Sequence, residues 1–423
     1  MRASSLKIYS AGDFVSIIKP FNAIIPTAET APKTACVPYD VPYESEVRRE
    51  IELNPLSFLR VTRPEAEFPP DSDPSEEELF QKSRENLEAM LANGILQEAS
   101  GPSIFIYRLT DGGRLQTGVV ACCPIDEYDN GLIKKHERTR PDKVHERTEH
   151  MIAVRAQTGL IFLAFRNTDE IRSAIAAETA DQPMFSFISR DDNVKQEVWL
   201  ARNPQSLIKG FAALPALYIA DGHHRAESAA ECRRRLKNDN PNHTGNEEYN
   251  FVMAGMFPSE ALAILPYNRV VKDLNGLSAQ EFIIRLGEKF IVNESEVKNP
   301  ENPGQIAMYL NRRWYLLTYN VEYIRDPGPI ERLDVSILQN NVLGPILGIE
   351  DPRTDKRISF VGGRRGTAEL ERLVDSGDFK AAFSMFPTSI EDLLAVADLN
   401  EIMPPKSTWF EPKLKDGLFI HRI

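Results

Sequence analysis

The chain has 423 residues, 42% of them apolar and 26% charged, with a formal net charge of −12. That length buries an ample core in two or three domains, and the composition is that of a folded globular protein. The acidic balance argues against non-specific nucleic-acid binding, while leaving room for a local basic pocket that takes a phosphorylated ligand.

The opening Met1-Arg2-Ala3-Ser4 lacks the apolar stretch of a signal peptide. No run approaches the roughly 20 apolar residues that span a bilayer. Residues 14–66 are rich in proline interleaved with aromatics, as in Pro38-Tyr39-Asp40-Val41-Pro42-Tyr43. They are expected to form irregular ordered loops packed on a domain. A Ser-x-x-Glu capping box at Ser75 opens a helix expected over Ser75–Asn93. Strands follow near Ser103–Arg108 and Gln116–Cys123, with Asp111-Gly112-Gly113 as the hairpin turn. A helix is expected over Lys143–Ala156, a short strand over Leu160–Phe165, and an apolar run at Phe251–Phe257. Further on come a helix at Ser278–Glu288, a hairpin near Ala307–Asn320 tipped by Asn311-Arg312-Arg313, a helix at Ser336–Leu343 and a strand at Ile358–Val361. Two more helices close the pattern, and no internal repeat is evident.

Five residues stand out, Asp221-Gly222-His223-His224-Arg225. The apolar Leu217-Tyr218-Ile219-Ala220 leads in, and an Ala-rich stretch from Ala226 to Lys237 leads out. That order reads as strand, tight turn, helix. A helix start carries unpaired N–H groups and the positive end of the dipole, so it favours anions such as phosphate. The plainer reading makes Asp221 an N-cap and leaves the histidines satisfied by neighbours. A second cluster, Lys134-Lys135-His136-Glu137-Arg138-Thr139-Arg140, lies upstream on an expected loop. Five of the seven histidines fall within residues 136–150 and 223–224. The tetrapeptide His-Glu-Arg-Thr recurs at 145–148, where its charges read as the solvated face of a helix.

Several chemistries can be weighed on these residues. The stretch His145-Glu146-Arg147-Thr148-Glu149-His150 looks like an inverted zinc motif, but its spacing is wrong, and His150 points roughly 100° away from Glu149 on a helix. Cys36, Cys122, Cys123 and Cys232 form no CxxC pair and no zinc spacing with a histidine. As buried or strand cysteines they are expected to be inert, and a reducing cytoplasm is the expected location. No Walker A loop occurs, and Gly362-Gly363-Arg364-Arg365-Gly366-Thr367 is either a surface loop or a phosphate contact. The tail Met403-Pro404-Pro405-Lys406-Ser407-Thr408-Trp409-Phe410 is expected to be tied down, with Lys406 and Thr408 able to line a ligand pocket. Phosphate chemistry by positioning remains. It calls for cationic groups, usually Mg²⁺, and a carboxylate to take the nucleophile's proton. Glu137 is the best general base in the sequence. Arg225 suits bidentate phosphate contact. His223 and His224 are expected to be neutral donors. Asp221 would repel phosphate unless it holds Mg²⁺ or a substrate amine.

The chain resembles a family long labelled as a domain of unknown function, whose members carry ADGHHR. That family is related to the free serine kinase SerK and the ParB/sulfiredoxin-like superfamily. The resemblance runs from Ile18-Lys19-Pro20-Phe21 to Gly417-Leu418-Phe419-Ile420-His421. It takes in Lys135-His136-Glu137-Arg138-Thr139, Ala156-Gln157-Thr158-Gly159, Ala220–Arg225 and Met403–Thr408. It implies an α/β protein with a ParB/sulfiredoxin-like mixed-sheet core over 101–260, an N-terminal segment 1–100 packed on it and a C-terminal region 261–423. It further implies phosphorylation of a small hydroxylated metabolite, free L-serine first, from ATP or ADP with Mg²⁺. Glu137 preceded by His136 would be the catalytic pair, and Asp221 a Mg²⁺ or substrate ligand. Gly222, His223, His224 and Arg225 would bind the nucleotide phosphates, with Lys406 and Thr408 as further nucleotide contacts. The alternative is a ParB-like nucleotide-binding switch without phosphotransfer. Neither reading calls for a nucleic-acid or membrane partner, and the oligomeric state is not legible.

Overall fold

The computed structural model describes residues 17–319 and 328–423. Met1-Arg2-Ala3-Ser4, at the start of the chain, and Asn320, at the far end of the expected hairpin, lie outside them. Among the described residues the architecture is mixed α/β, as expected, and it divides into two units. The first comprises residues up to Lys135, Thr139–Leu262 and Pro412–Ile423. The second comprises His136–Arg138 and Ala263–Glu411.

The first unit is built on an eight-stranded mixed sheet. Its order is Ile133–Lys134, Leu217–Asp221, Ile161–Phe165, Phe251–Pro258, Arg114–Pro124, Phe105–Asp111, Lys195–Leu200 and Phe185–Ile188. Leu217–Asp221 runs parallel to Ile133–Lys134, with Tyr218 opposite Lys134. Ile161–Phe165 is buried at every position. That is why it reads as a continuous apolar run and not as an alternation: a strand covered on both faces has no solvent side. Phe165, Ile219, Met256 and Ala229 belong to the principal core. The long helices Pro141–Val154 and His223–Asp239 pack on each other.

A second, four-stranded sheet explains why the first hundred residues do not stand apart. Ala23–Pro26 lies between Leu96–Glu98 and the C-terminal strand Ile420–Arg422, which pairs in turn with Ala156–Gln157. The Pro-rich stretch is less irregular than expected. It contains the helix Glu44–Leu53 and short helical turns at Ala31–Thr34 and Leu59–Thr62, and Phe21 and Phe58 are fully buried. The capping box at Ser75 does open a helix, Glu76–Ala92. Its hydroxyl accepts from Glu78 N–H, and the Glu78 carboxylate accepts from Ser75 N–H.

The second unit has a six-stranded antiparallel sheet. Its order is Phe290–Glu294, Arg313–Tyr319, Gln305–Leu310, Ala381–Met385, Tyr267–Val271 and Ile358–Gly362. The expected hairpin is present, with Asn311 and Arg312 at its tip in left-handed conformations. Helices Ala279–Leu286, Gly366–Asp375 and Ile390–Asp398 accompany the sheet. The strand Ala381–Met385 between the last two went unread, because five small and apolar residues give no periodicity of their own. Its core gathers Val270, Ala307, Tyr309, Trp314 and Leu370. Gly362 and Gly363 are packing glycines. A Cβ on Gly362 would lie 2.8 Å from the Trp409 ring, and one on Gly363 would lie 2.6 Å from the Pro266 carbonyl.

Candidate functional site

The strand Leu217–Asp221 ends where the helix His223–Asp239 begins, with Gly222 between them. Gly222 has φ +92°, a left-handed conformation that side-chain-bearing residues rarely adopt, so this reversal needs a glycine. Asp221 is not the helix cap that the plainer reading made it. Its Oδ1 accepts the Gly222 N–H at 2.9 Å, and its Oδ2 accepts from the Lys413 ammonium at 2.9 Å. Burial alone would raise the Asp221 carboxyl; Lys413 and Arg225 more than offset it and hold the group well below the usual range.

His223 is buried in the first helical turn. His224 accepts the Arg140 N–H at Nε2, at 3.0 Å, so in this arrangement its ring proton sits on Nδ1. That bond ties Arg140, at the start of the helix Pro141–Val154, to the motif. Their common origin is topological: both segments leave the C-terminal ends of adjacent parallel strands, the place where open α/β sheets bind ligands. Lys135, which begins the loop, sits 3.6 Å above the Tyr128 ring and 3.9 Å from Glu227.

Arg225 turns inward. Its Nη1 donates to the Leu160 carbonyl at 2.7 Å, its Nη2 is 3.5 Å from Asp40, and only 11% of its side chain is exposed. Tyr39 lies between two guanidiniums, Arg147 at 3.9 Å and Arg225 at 5.6 Å from its ring. Burial would lower the Arg225 pKa, but Asp416, Asp40 and Asp221 raise it, so the cation is held firmly. Asp416 responds to the same burial by moving up to about 7, with Arg225 working against the shift. A cavity of about 30 Å³ lies among Tyr39, Arg147, Gln157, Gly159, Arg225 and Asp416. That is room for a water or two and too small for a metabolite.

The second His-Glu-Arg-Thr copy is only partly the solvated face expected. His145 is exposed, 3.6 Å from Glu149. Arg147 is withdrawn onto Tyr39, and Thr148 and His150 are buried. The helix presents this side to Tyr39 and to Val61, whose carbonyl lies 3.0 Å from His150 Nε2. Loops folded back from the N-terminal hundred residues cannot be read from helix periodicity.

In the second unit, His136 and Glu137 fold with the tail. The His136 carbonyl accepts the Met403 N–H at 2.8 Å, and His136 Nε2 lies 3.5 Å from Thr408 Oγ1. Lys406 takes a left-handed φ of +57°, its ammonium lies 5.3 Å from the Tyr267 ring, and its carbonyl accepts from Arg269 at 3.0 Å. The tail is thus tied down, as its Trp-Phe content implied.

One arrangement mimics a nucleophile triad without being able to work as one. Cys122 Sγ lies 3.6 Å from His421 Nδ1, and His421 Nε2 lies 2.9 Å from Glu248. Cys122 and His421 have no exposed surface, and burial first, then Glu248, push the thiol well above its ordinary value. Both shifts favour the protonated thiol, and the group is buried away from solvent.

Sequence reasoning missed Lys413, Asp416, Tyr39 and Arg147. For Lys413 and Asp416 the signal was present in Glu411-Pro412-Lys413-Leu414-Lys415-Asp416-Gly417, where four charges sit between apolar Trp-Phe and Leu-Phe-Ile segments. Charges embedded in an apolar run need buried partners.

A family profile described as "Protein of unknown function (DUF1015)" matches residues 18–336. The chain belongs to this family. No curated protein matches it. Among solved structures, this DUF1015 chain is similar to a free serine kinase in complex with AMP, at 12% identity and a TM-score of 0.35, over 69% of this chain and 86% of that one. It is also similar to a C-terminally truncated SbnI from Staphylococcus aureus, at 12% identity and a TM-score of 0.39, over 70% and 85%. A conserved hypothetical protein from Pyrococcus furiosus matches at 14% identity and a TM-score of 0.34, over 70% and 93%. Among the described residues, no helix is long and apolar enough to cross a membrane.

Proposed function

We propose that this protein is a kinase-like phosphotransferase for a small hydroxylated metabolite, with free L-serine the first candidate and ATP or ADP the donor. The observation that carries this reading is the Asp221–Arg225 turn: a left-handed glycine after a parallel strand, then a long helix whose first N–H groups follow at once. Such a turn suits a nucleotide phosphate. Gly222 allows close approach, His223 and His224 supply donors, and Arg225 braces the turn from beneath. Lys406 and Thr408 are the further nucleotide contacts in this reading.

Glu137, half-buried and next to His136, is the general base. It takes the proton from the substrate hydroxyl as that oxygen bonds to the terminal phosphorus. The bond from phosphorus to the bridging oxygen then breaks, and ADP leaves from ATP, or AMP from ADP. Mg²⁺ was expected on Asp221. The donors there do not fit it, since one oxygen holds an amide and the other an ammonium at 2.9 Å. No step is assigned to a metal at Asp221.

The test is mass-spectrometric detection of O-phosphoserine after incubation with L-serine, Mg²⁺ and either ATP or ADP. Product is expected with one donor, and Glu137→Gln should abolish it while leaving nucleotide binding near normal. Full activity in that variant rejects the base. No product from the parent, with nucleotide binding intact by calorimetry, favours the ParB-like switch.

A further inference from the structure

A carboxylate at the mouth of a phosphate-binding turn is a liability. Like charges a few ångströms apart repel strongly at the moderate effective dielectric of a protein site, and that repulsion is a cost to binding. In many phosphate sites a divalent cation removes that cost. Here the cation is covalent. Lys413 Nζ lies 2.9 Å from Asp221 Oδ2, and the lysine side chain is only 11% exposed. It reaches this position from a segment fixed immediately beyond it. Lys415, two residues on, is fully buried against Asp191 and Asp192. The backbone of Asp416 pairs with that of Cys36 in both directions, at 3.1 and 3.0 Å. Gly159 leaves room for the Asp416 side chain, since a Cβ there would fall 2.6 Å from Asp416 Oδ1. The ammonium is therefore held in place and does not sample the surface.

We infer that Lys413 is a built-in counter-ion that neutralises Asp221, so that the Asp221–Arg225 turn accepts a phosphate anion without a metal ion on that carboxylate. The inference rests on the proposed phosphate site. It adds a positioning residue and assigns the turn's preference to phosphoanions over free divalent cations. With Lys413 in place, the Asp221–Lys413 pair is neutral, and the helix start supplies net attraction. Without it, Asp221 keeps the Gly222 N–H but loses the ammonium 2.9 Å from its other oxygen, and its charge works against the incoming phosphate.

The experiment is calorimetric titration of the full-length protein with ADP, and separately with pyrophosphate, both in EDTA and without serine. Lys413→Met should weaken both by about tenfold or more. Lys413→Arg should stay near the parent. The double variant Lys413→Met/Asp221→Asn should recover most of the loss, because the unpaired charge is gone. A merely structural pair would also be relieved by neutralising Asp221, so urea midpoints are read alongside: weaker binding by a Lys413→Met protein that stays folded under the titration conditions supports the inference, and a loss of binding that tracks unfolding overturns it. Parent-like affinity in Lys413→Met, or a double variant as weak as the single one, overturns the inference while leaving the phosphate site standing. A parent that binds neither probe removes the phosphate site and the inference with it. Loss of serine phosphorylation alone touches neither titration.

Discussion

Lys415 and Asp191 form a two-pronged ion pair, with the lysine ammonium 2.8 and 2.7 Å from the two carboxylate oxygens. Asp192 adds a third contact at 2.6 Å. The partners are 224 residues apart in sequence. The pair fastens the C-terminal segment to the turn between strands Phe185–Ile188 and Lys195–Leu200, and through that segment it fixes Lys413 and Asp416. Lys415→Met removes the cation that sits against Asp192, which is largely buried. Breaking a buried pair in this way costs about 3–5 kcal/mol. Urea unfolding of the variant should show a loss in that range, and a loss below about 1 kcal/mol would mean the pair is energetically idle.

Gly222 should be intolerant of a side chain. Its φ of +92° already disfavours one, and a Cβ would sit 3.3 Å from Ile161 Cα. Gly222→Ala should therefore cost about 1–2 kcal/mol from conformation alone. A fall in the urea midpoint together with weaker ADP binding is the expected pair of results. An unchanged midpoint would show that the turn relaxes freely.

His150 gives a pH dependence whose sign can be worked out. Burial, followed by Arg147, lowers its pKa from 6.5 to about 4 in the folded protein. As pH falls from 6.5, the unfolded chain takes the proton first. Stability present above pH 6.5 is thus lost as pH drops toward 4, by up to about 1.4 kcal/mol per unit. His150→Gln keeps a donor for the Val61 carbonyl and should remove this slope. Urea midpoints of both proteins at pH 7 and pH 5 check it, and equal acid losses in the two would assign the slope to other groups.

Local chemistry made much of the fold legible. The Ser75 capping box, the Gly112-Gly113 hairpin turn, the strand Ile161–Phe165 and the strand–glycine–helix order at Asp221–Arg225 each follow from residues within a few positions of one another. Short-range periodicity and turn preference report such features faithfully, because the forces that set them act over the same few residues. The presence of two His-rich clusters was legible for the same reason.

Only the tertiary structure decided what those residues face. Nothing near Asp221 in sequence announces Lys413, and nothing near Arg225 announces Tyr39, Asp40 or the Leu160 carbonyl. The inward turn of Arg225, the burial of Thr148 and His150, and the return of Ile420–Arg422 beside Ala23–Pro26 all depend on segments joined by chain reversal. Ion pairing and desolvation depend on distance through space. A sequence therefore determines which charges must find partners in an apolar setting, and the fold alone determines which partners they find.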